Sequence, residues 1–192
     1  RPVYDFTVAE EDGRRALHLK SHDDHSTIAK AIRVDLRATP ILEWTWKIVK
    51  LPAGADIRKK ETSDLTGHIL LAWPRFPALL RTRLIGYVWD TMAPAQTVEK
   101  SQKTGAVTFF VVRSGPRDLN RWLTERRNVY EDYRKVFGEE PENPQAVVVS
   151  IDTGGCVSPL QTHSHRSPQS STRRRSRHES RQRFDRRLGL VL

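Results

Sequence analysis

The stretch LEWTWKIVKLP, residues 42–52, decides the fold class of this chain. Apolar and polar side chains alternate along it, so that its large apolar residues fall on every second position: Leu42, Trp44, Trp46 and Ile48. A period of two places alternate side chains on opposite faces, which predicts a half-buried β-strand and argues against a helix. We expect the two tryptophans to face a core, because aromatic side chains dominate such interiors; a flat platform for sugar rings is the alternative.

Segments of strand type continue on both sides of this stretch. They comprise Val3–Ala9, Ala16–Ser21, Ile32–Leu36, Ile69–Trp73, Leu84–Trp89, Ala106–Val112 and Ala146–Ile151. Turn signals such as Asp12-Gly13 and Thr39-Pro40 separate most of them. Eight short strands divided by turns predict a mainly β fold, an antiparallel β-sandwich or barrel.

One long connection breaks the β pattern between Asp118 and Gly138. Apolar or long side chains recur there at helical spacing: Leu119, Trp122, Leu123, Arg126, Tyr130, Tyr133 and Phe137. Asp118 is a suitable N-cap residue and Gly138 a suitable residue just beyond the C-terminus. This spacing predicts a helix over the whole connection, with its tyrosines packed on the sheet.

The chain changes character near Gly154. Residues 154–192 hold nine arginines and two acidic residues, whereas residues 1–153 hold 24 basic and 21 acidic ones. Most of the positive charge therefore belongs to a segment with little to bury, which predicts a disordered Arg/Ser-rich tail after a β-sandwich domain at 1–153. Our preferred interpretation of the tail is a shifted reading frame that removes a closing strand. An authentic basic arm that binds nucleic acid through its charge is the alternative.

Several classes of protein are excluded by composition. Cys156 is the only cysteine, so neither an intramolecular disulfide nor a Cys-rich metal site can form. No apolar run approaches the roughly 20 residues that span a bilayer. The sequence has no Gly-x-Ser-x-Gly motif and no phosphate-binding glycine loop. The chain begins with Arg1, so an upstream signal peptide is neither seen nor excluded.

Three segments together resemble the bacterial family known as domain of unknown function 3047. They are the tryptophan strand with the following Gly54, Ala55 and Asp56; GYVWD at residues 86–90; and RNVYEDYRKVFGEEP at residues 127–141. The resemblance implies a jelly-roll type of sandwich, similar to carbohydrate-binding modules, and favours a periplasmic or secreted protein. It implies no activity and no catalytic residues, because none is established for the family.

Candidate ligand-binding residues lie where predicted strands run into loops. They are Asp56, Asp64, Trp89 and Asp90. Carboxylates and an indole at loop positions suit recognition of a saccharide or cell-envelope glycan, so we expect a binding module without catalytic residues. A glycan hydrolase that uses two of these carboxylates is the alternative. We expect no cofactor, apart from a structural calcium to which Asp5 or Asp152 could contribute.

Overall fold

A computed structural model describes residues 5–21, 25–77, 81–152 and 189–191 of this chain. The described strands are β1 (Asp5–Glu11), β2 (Arg14–Lys20), β3 (His25–Ala31), β4 (Ile41–Lys47), β5 (Leu65–Trp73), β6 (Arg83–Asp90), β7 (Val98–Lys100), β8 (Val107–Ser114), β9 (Leu123–Asn128), β10 (Ala146–Asp152) and β11 (Gly189–Val191). A helix, α1 (Val129–Phe137), follows β9 directly, and a single 3₁₀ turn spans Lys60–Thr62. Most of the predicted tail lies outside the described residues.

The strands form two sheets. One has five strands in the order β1-β2-β11-β4-β9, and the other has six in the order β3-β10-β5-β6-β8-β7. Most neighbours are antiparallel, as expected, but β8 lies parallel to β6. The reason is that the short strand β7 returns along the sheet edge and turns into β8, so β8 enters the sheet in the direction of β6. The mainly β sandwich is thus confirmed, and its jelly-roll type stays a prediction.

An aromatic core lies between the two sheets. Trp44 stacks on Tyr87 with ring centroids 5.4 Å apart, and Trp46 contacts Trp89 at 6.0 Å. Both contacts join β4 of one sheet to β6 of the other. Trp46 is fully buried and Trp44 is 8% exposed. The prediction that both tryptophans face a core is confirmed, and the sugar-platform alternative is not supported.

A second apolar cluster covers the opposite face of the six-stranded sheet. It combines Val88, Phe109 and Val111 from the sheet with Ile57 and Ala93 from the connections that cross it. Backbone hydrogen bonds tie these connections together, including Met92 N–H to Ala55 O at 3.0 Å. The sheet is therefore covered on both faces, in agreement with the continuously apolar run at residues 69–73 of β5.

The strand β11 lies between β2 and β4 in the five-stranded sheet. It runs parallel to both and pairs with residues 16–18 of β2 and residues 46–47 of β4. Residues 16–18 of β2 pair with β1 on their other side, and Trp46 of β4 pairs with β9, so β11 supplies the partner for the remaining edge of each strand. The far end of the predicted tail therefore returns to the sandwich, while residues 153–188 lie outside the described part.

Two predicted elements were wrong in their position. The third strand is His25–Ala31 and not Ile32–Leu36, because residues 25–31 pair along their whole length with β10. The predicted helix begins at Val129, ten residues after Leu119, because residues 123–128 pair with β4 as a strand. Tertiary pairing overrides helix propensity here. Asn128, and not the predicted Asp118, caps the helix by accepting the Glu131 N–H. Gly138 ends the helix in the left-handed conformation, as predicted.

Within the described ranges, no helix has the length and hydropathy to cross a membrane.

Candidate functional site

A pocket of about 210 Å³ opens on the outer face of the six-stranded sheet, the face turned away from the aromatic core. We call it the outer-face pocket. Leu65, Leu70, Val107 and Phe109 give it an apolar floor. Its polar lining comes from β5 and the residues before it, from the β7–β8 turn and from β10: Ser63, His68, Ser101, Lys103, Thr104, Ser150 and Asp152. A mostly apolar pocket with a few convergent polar groups is the usual form of a small-molecule site.

His68 is a buried histidine that lines this pocket. Its side chain lies edge-on to the Phe109 ring, with centroids 5.6 Å apart. Nδ1 lies 3.1 Å from the Thr66 carbonyl oxygen, which can only accept, so Nδ1 carries the proton of the neutral ring. Burial lowers the pKa of His68 to about 4. At neutral pH the ring is therefore uncharged, and Nε2 is its hydrogen-bond acceptor.

Lys103 brings a positive charge to the rim, between two carboxylates. Its Nζ lies 3.1 Å from Asp64 Oδ1 and 3.9 Å from Asp152 Oδ2. The Asp64 side chain is fully buried, whereas Asp152 is 30% exposed. About a third of the Lys103 side chain is exposed, and the residue lines the pocket.

The floor depends on a glycine in the neighbouring strand. Gly86 pairs with Phe109 across β6 and β8, and a Cβ atom at this position would come within 2.4 Å of the Phe109 ring. The missing side chain lets the ring lie flat over the sheet, where it meets His68. Beside His68 on the neighbouring strand, the hydroxyl groups of Ser150 and Thr27 are 2.7 Å apart.

Asp90 and Asp56, both predicted as ligand contacts, are buried and hold the connection over β6. Asp90 accepts backbone N–H groups from Ile57 at 3.0 Å, Met92 at 2.8 Å and Ala93 at 2.6 Å. Burial raises the pKa of Asp90, against the effect of these three donors. Asp56 accepts both Nε and Nη2 of Arg58 at 2.8 Å, and this bonding lowers the pKa of its carboxyl group.

The other two predicted ligand contacts are also buried, and only one of them reaches the pocket. Trp89 is 1% exposed, lies in the aromatic core and donates its Nε1 hydrogen to the Gly115 carbonyl oxygen at 2.9 Å. Asp64 reaches the pocket through Lys103. The structure therefore brings Asp56, Asp64 and Asp90 to the connection beside the pocket and places Trp89 on the opposite face of the sheet.

His68, Lys103 and Asp152 are the site residues that the sequence did not single out as a group. Strand alternation does not reveal His68, because both faces of β5 are buried. A histidine directly before the apolar run ILLAW, residues 69–73, is the signal that could have pointed to it. Lys103 gives no comparable signal, since it belongs to a polar turn.

The low pKa of His68 predicts a loss of stability in mild acid. Between pH 6.5 and about 4, the unfolded chain takes up a proton at this residue and the folded protein does not. We therefore expect His68 to lower the free energy of unfolding by about 3 kcal/mol as the pH falls from 7 to 4. Urea unfolding at half-unit pH intervals measures this slope.

The matched comparison is His68→Gln, which cannot titrate in this range. Other groups also titrate there, so the measured quantity is the difference in slope between wild type and variant. Parallel curves for the two proteins between pH 4 and 6.5 would contradict the assignment of the slope to His68.

Metal binding has no candidate cluster in the part of the chain that the structure describes. No group of three or more histidine, cysteine, aspartate or glutamate side chains converges there. Of the two residues named as possible calcium ligands, the side chain of Asp5 is outside the description, and Asp152 lies 3.9 Å from the Lys103 ammonium group.

Comparison with known protein families gives a match to this chain. No curated protein matches this chain. The profile of a family described as "Protein of unknown function (DUF3047)" matches residues 2–156, which contain every element above except β11. The match ends two residues after the change in composition at Gly154. On this evidence, the chain belongs to the DUF3047 family.

Proposed function

We propose that this domain binds a saccharide without transforming it, and that the outer-face pocket holds one ring of the ligand. The observation that carries the proposal is the combination of an aromatic floor, Phe109, with both kinds of hydrogen-bonding group. His68 Nε2 supplies an acceptor, whereas Lys103 supplies donors. Sugar rings present apolar C–H faces and hydroxyl groups that both donate and accept, so this combination suits them.

The size of the pocket supports a small ligand. Its volume of about 210 Å³ is below the roughly 300 Å³ at which pockets begin to enclose drug-sized molecules. One ring of a glycan, with the rest of the chain in solvent, is compatible with it. In this proposal Asp64 acts by holding Lys103, and Asp56 and Asp90 act by holding the connection that forms the rim.

A glycan hydrolase is the second candidate, because two carboxylates meet at Lys103. Asp64 and Asp152 both lie within 4 Å of one ammonium group, which sets their separation at no more than roughly 7 Å, within the span used by glycosidases. The burial of Asp64 weighs against this candidate, since a catalytic acid must reach the glycosidic oxygen. We therefore place binding first.

Glycan-array screening of the full chain, followed by calorimetry on the best ligand, tests the proposal. Replacing Lys103 alone would take the ammonium partner away from a buried carboxylate, so the informative variant is the pair Lys103→Met with Asp64→Asn. Because a hydrogen bond to a charged group contributes about 1.5–3 kcal/mol, we expect affinity to fall by about tenfold or more. Lys20→Met, which removes an exposed lysine on the other sheet, should leave affinity unchanged.

Three results decide between the candidates. If a sample that unfolds cooperatively on heating, and is therefore folded, binds no glycan on the array, saccharide binding is overturned. Equal affinity of the double variant and wild type would remove the outer-face pocket as the site. Release of new reducing ends that disappears in Asp152→Asn would establish the hydrolase instead.

A further inference from the structure

A second cavity, whose lining is rich in cationic side chains, opens at the core-facing side of the six-stranded sheet. Its volume is about 500 Å³, and we call it the end cavity. Strand alternation explains its lining: Arg83 lies on the same face as Ile85, and Lys100 pairs with Thr108, which pairs with Ile85. Cationic side chains thus occupy positions on a face that is otherwise occupied by apolar core residues.

Four cations line the end cavity, and only two of them are neutralised. Arg75 and Arg83 both bond to Glu139 and to the Tyr133 hydroxyl group. These two guanidinium groups lower the pKa of Glu139 to about 2, so its carboxylate stays ionised. Arg81 and Lys100 have no carboxylate within ion-pairing distance among the described residues, and both are exposed.

Part of this arrangement is explained by the fold alone. The guanidinium of Arg83 lies 4.5 Å from the centre of the Phe137 ring, and its bonds to Glu139 fasten the end of helix α1 to the sheet. The fold does not account for two further cations beside these. Nor does it account for Arg75 Nε, a buried donor with no hydrogen-bond partner in the described part of the chain.

We propose that the end cavity binds the phosphate group of a small phosphomonoester. Two carboxylates offset two of the four positive charges: Glu139, and Glu142, whose Oε1 lies 3.6 Å from Arg75. The remaining excess of two positive charges matches a dianion. Guanidinium groups donate to phosphate oxygens in a bidentate manner, and hydroxyl groups at Thr104 and Thr108 add neutral donors. A planar carboxylate carries one charge and two oxygens, so it uses fewer of these donors.

The recessed shape also separates this site from a nucleic-acid surface. Binding along a nucleic-acid backbone requires an extended basic stripe with phosphates at regular intervals. Here the cations converge on one cavity at the end of the sheet. Phosphate binding at the end cavity goes beyond the proposed function, because the end cavity and the outer-face pocket share only Thr104. A negative result for binding at one site therefore leaves the proposal for the other site intact.

Calorimetric titration of the full chain with inorganic phosphate tests this site, with acetate as the carboxylate probe. We expect saturable phosphate binding that weakens about tenfold or more in the double variant Arg81→Gln, Lys100→Gln, since charge-assisted bonds are lost. The control Lys50→Gln, Arg117→Gln removes the same net charge from exposed sites outside the cavity and should retain binding. Raising the salt concentration should weaken binding.

Three results would contradict a phosphate site in the end cavity. Absence of saturable phosphate binding at low salt would overturn the site. An equal loss in the cavity variant and the control variant would show that overall charge, and not the end cavity, attracts phosphate. Acetate that binds as tightly as phosphate would overturn the phosphate assignment.

Discussion

Replacing Asp132 with alanine is expected to lower the free energy of unfolding by about 3 kcal/mol, because it breaks a buried ion pair. Asp132 is 6% exposed and accepts the Tyr87 hydroxyl at 2.8 Å. It also accepts Arg127 Nε at 3.0 Å and Nη2 at 2.5 Å. Without the carboxylate, a half-buried guanidinium and a buried hydroxyl group lose their common partner.

The neighbouring residue Glu131 provides the control for this prediction. It lies on the same helical turn, is exposed, and pairs only loosely with Arg134 at 3.7 Å. Glu131→Ala should change the stability by less than about 0.5 kcal/mol. Chemical denaturation of the two variants measures the difference, and an Asp132→Ala protein as stable as Glu131→Ala would show that the pair does not hold the helix to the sheet.

Replacing Trp46 with alanine is expected to cost about 3–5 kcal/mol, the largest loss of stability that we predict for a single substitution. Trp46 is fully buried and contacts Trp44 edge-on at 5.6 Å as well as Trp89 at 6.0 Å. Its removal leaves a cavity at the point where the two sheets meet. Its Nε1 hydrogen bond to Glu125, at 3.3 Å, is lost as well.

Trp122 provides a matched control, because it carries the same side chain in a half-buried position outside the core. Its Nε1 donates to Asp12 at 3.0 Å, and the Arg14 guanidinium lies 5.8 Å from the ring centre. Trp122→Ala should cost no more than about 1.5 kcal/mol, the contribution of one exposed hydrogen bond with its packing. Thermal or urea unfolding compares the variants, and similar losses at both positions would contradict a core located between the sheets at Trp46.

Much of the fold could be predicted from the sequence, because strand alternation records burial directly. Trp44 and Trp46 lie in the core as their period indicated, and Gly138 ends the helix as its conformational freedom suggested. The predicted start of the helix at Asp118 failed for a physical reason. Residues 123–128 satisfy their backbone groups by pairing with β4, and no local signal reveals a partner that lies about 80 residues away.

The candidate site was less accessible to prediction, because its residues meet only in the sheet. His68 and Ser150 are cross-strand neighbours although 82 positions separate them in the chain. The four predicted ligand residues are those that the sequence pattern places at loops and strand ends. The structure buries all four, because Asp56, Asp64 and Asp90 bond to side chains and backbone groups of the connections and Trp89 faces the core.

The sequence by itself determined that this chain forms sheets, which face of most strands is apolar, and that its charge is concentrated after residue 153. A period of two depends only on the geometry of one strand, so it is readable without knowledge of any partner. Only the tertiary structure decided which strands are neighbours, where the helix begins, and which polar residues converge on the two cavities. Strand order and register are set by contacts between distant segments, and these contacts are absent from any local pattern.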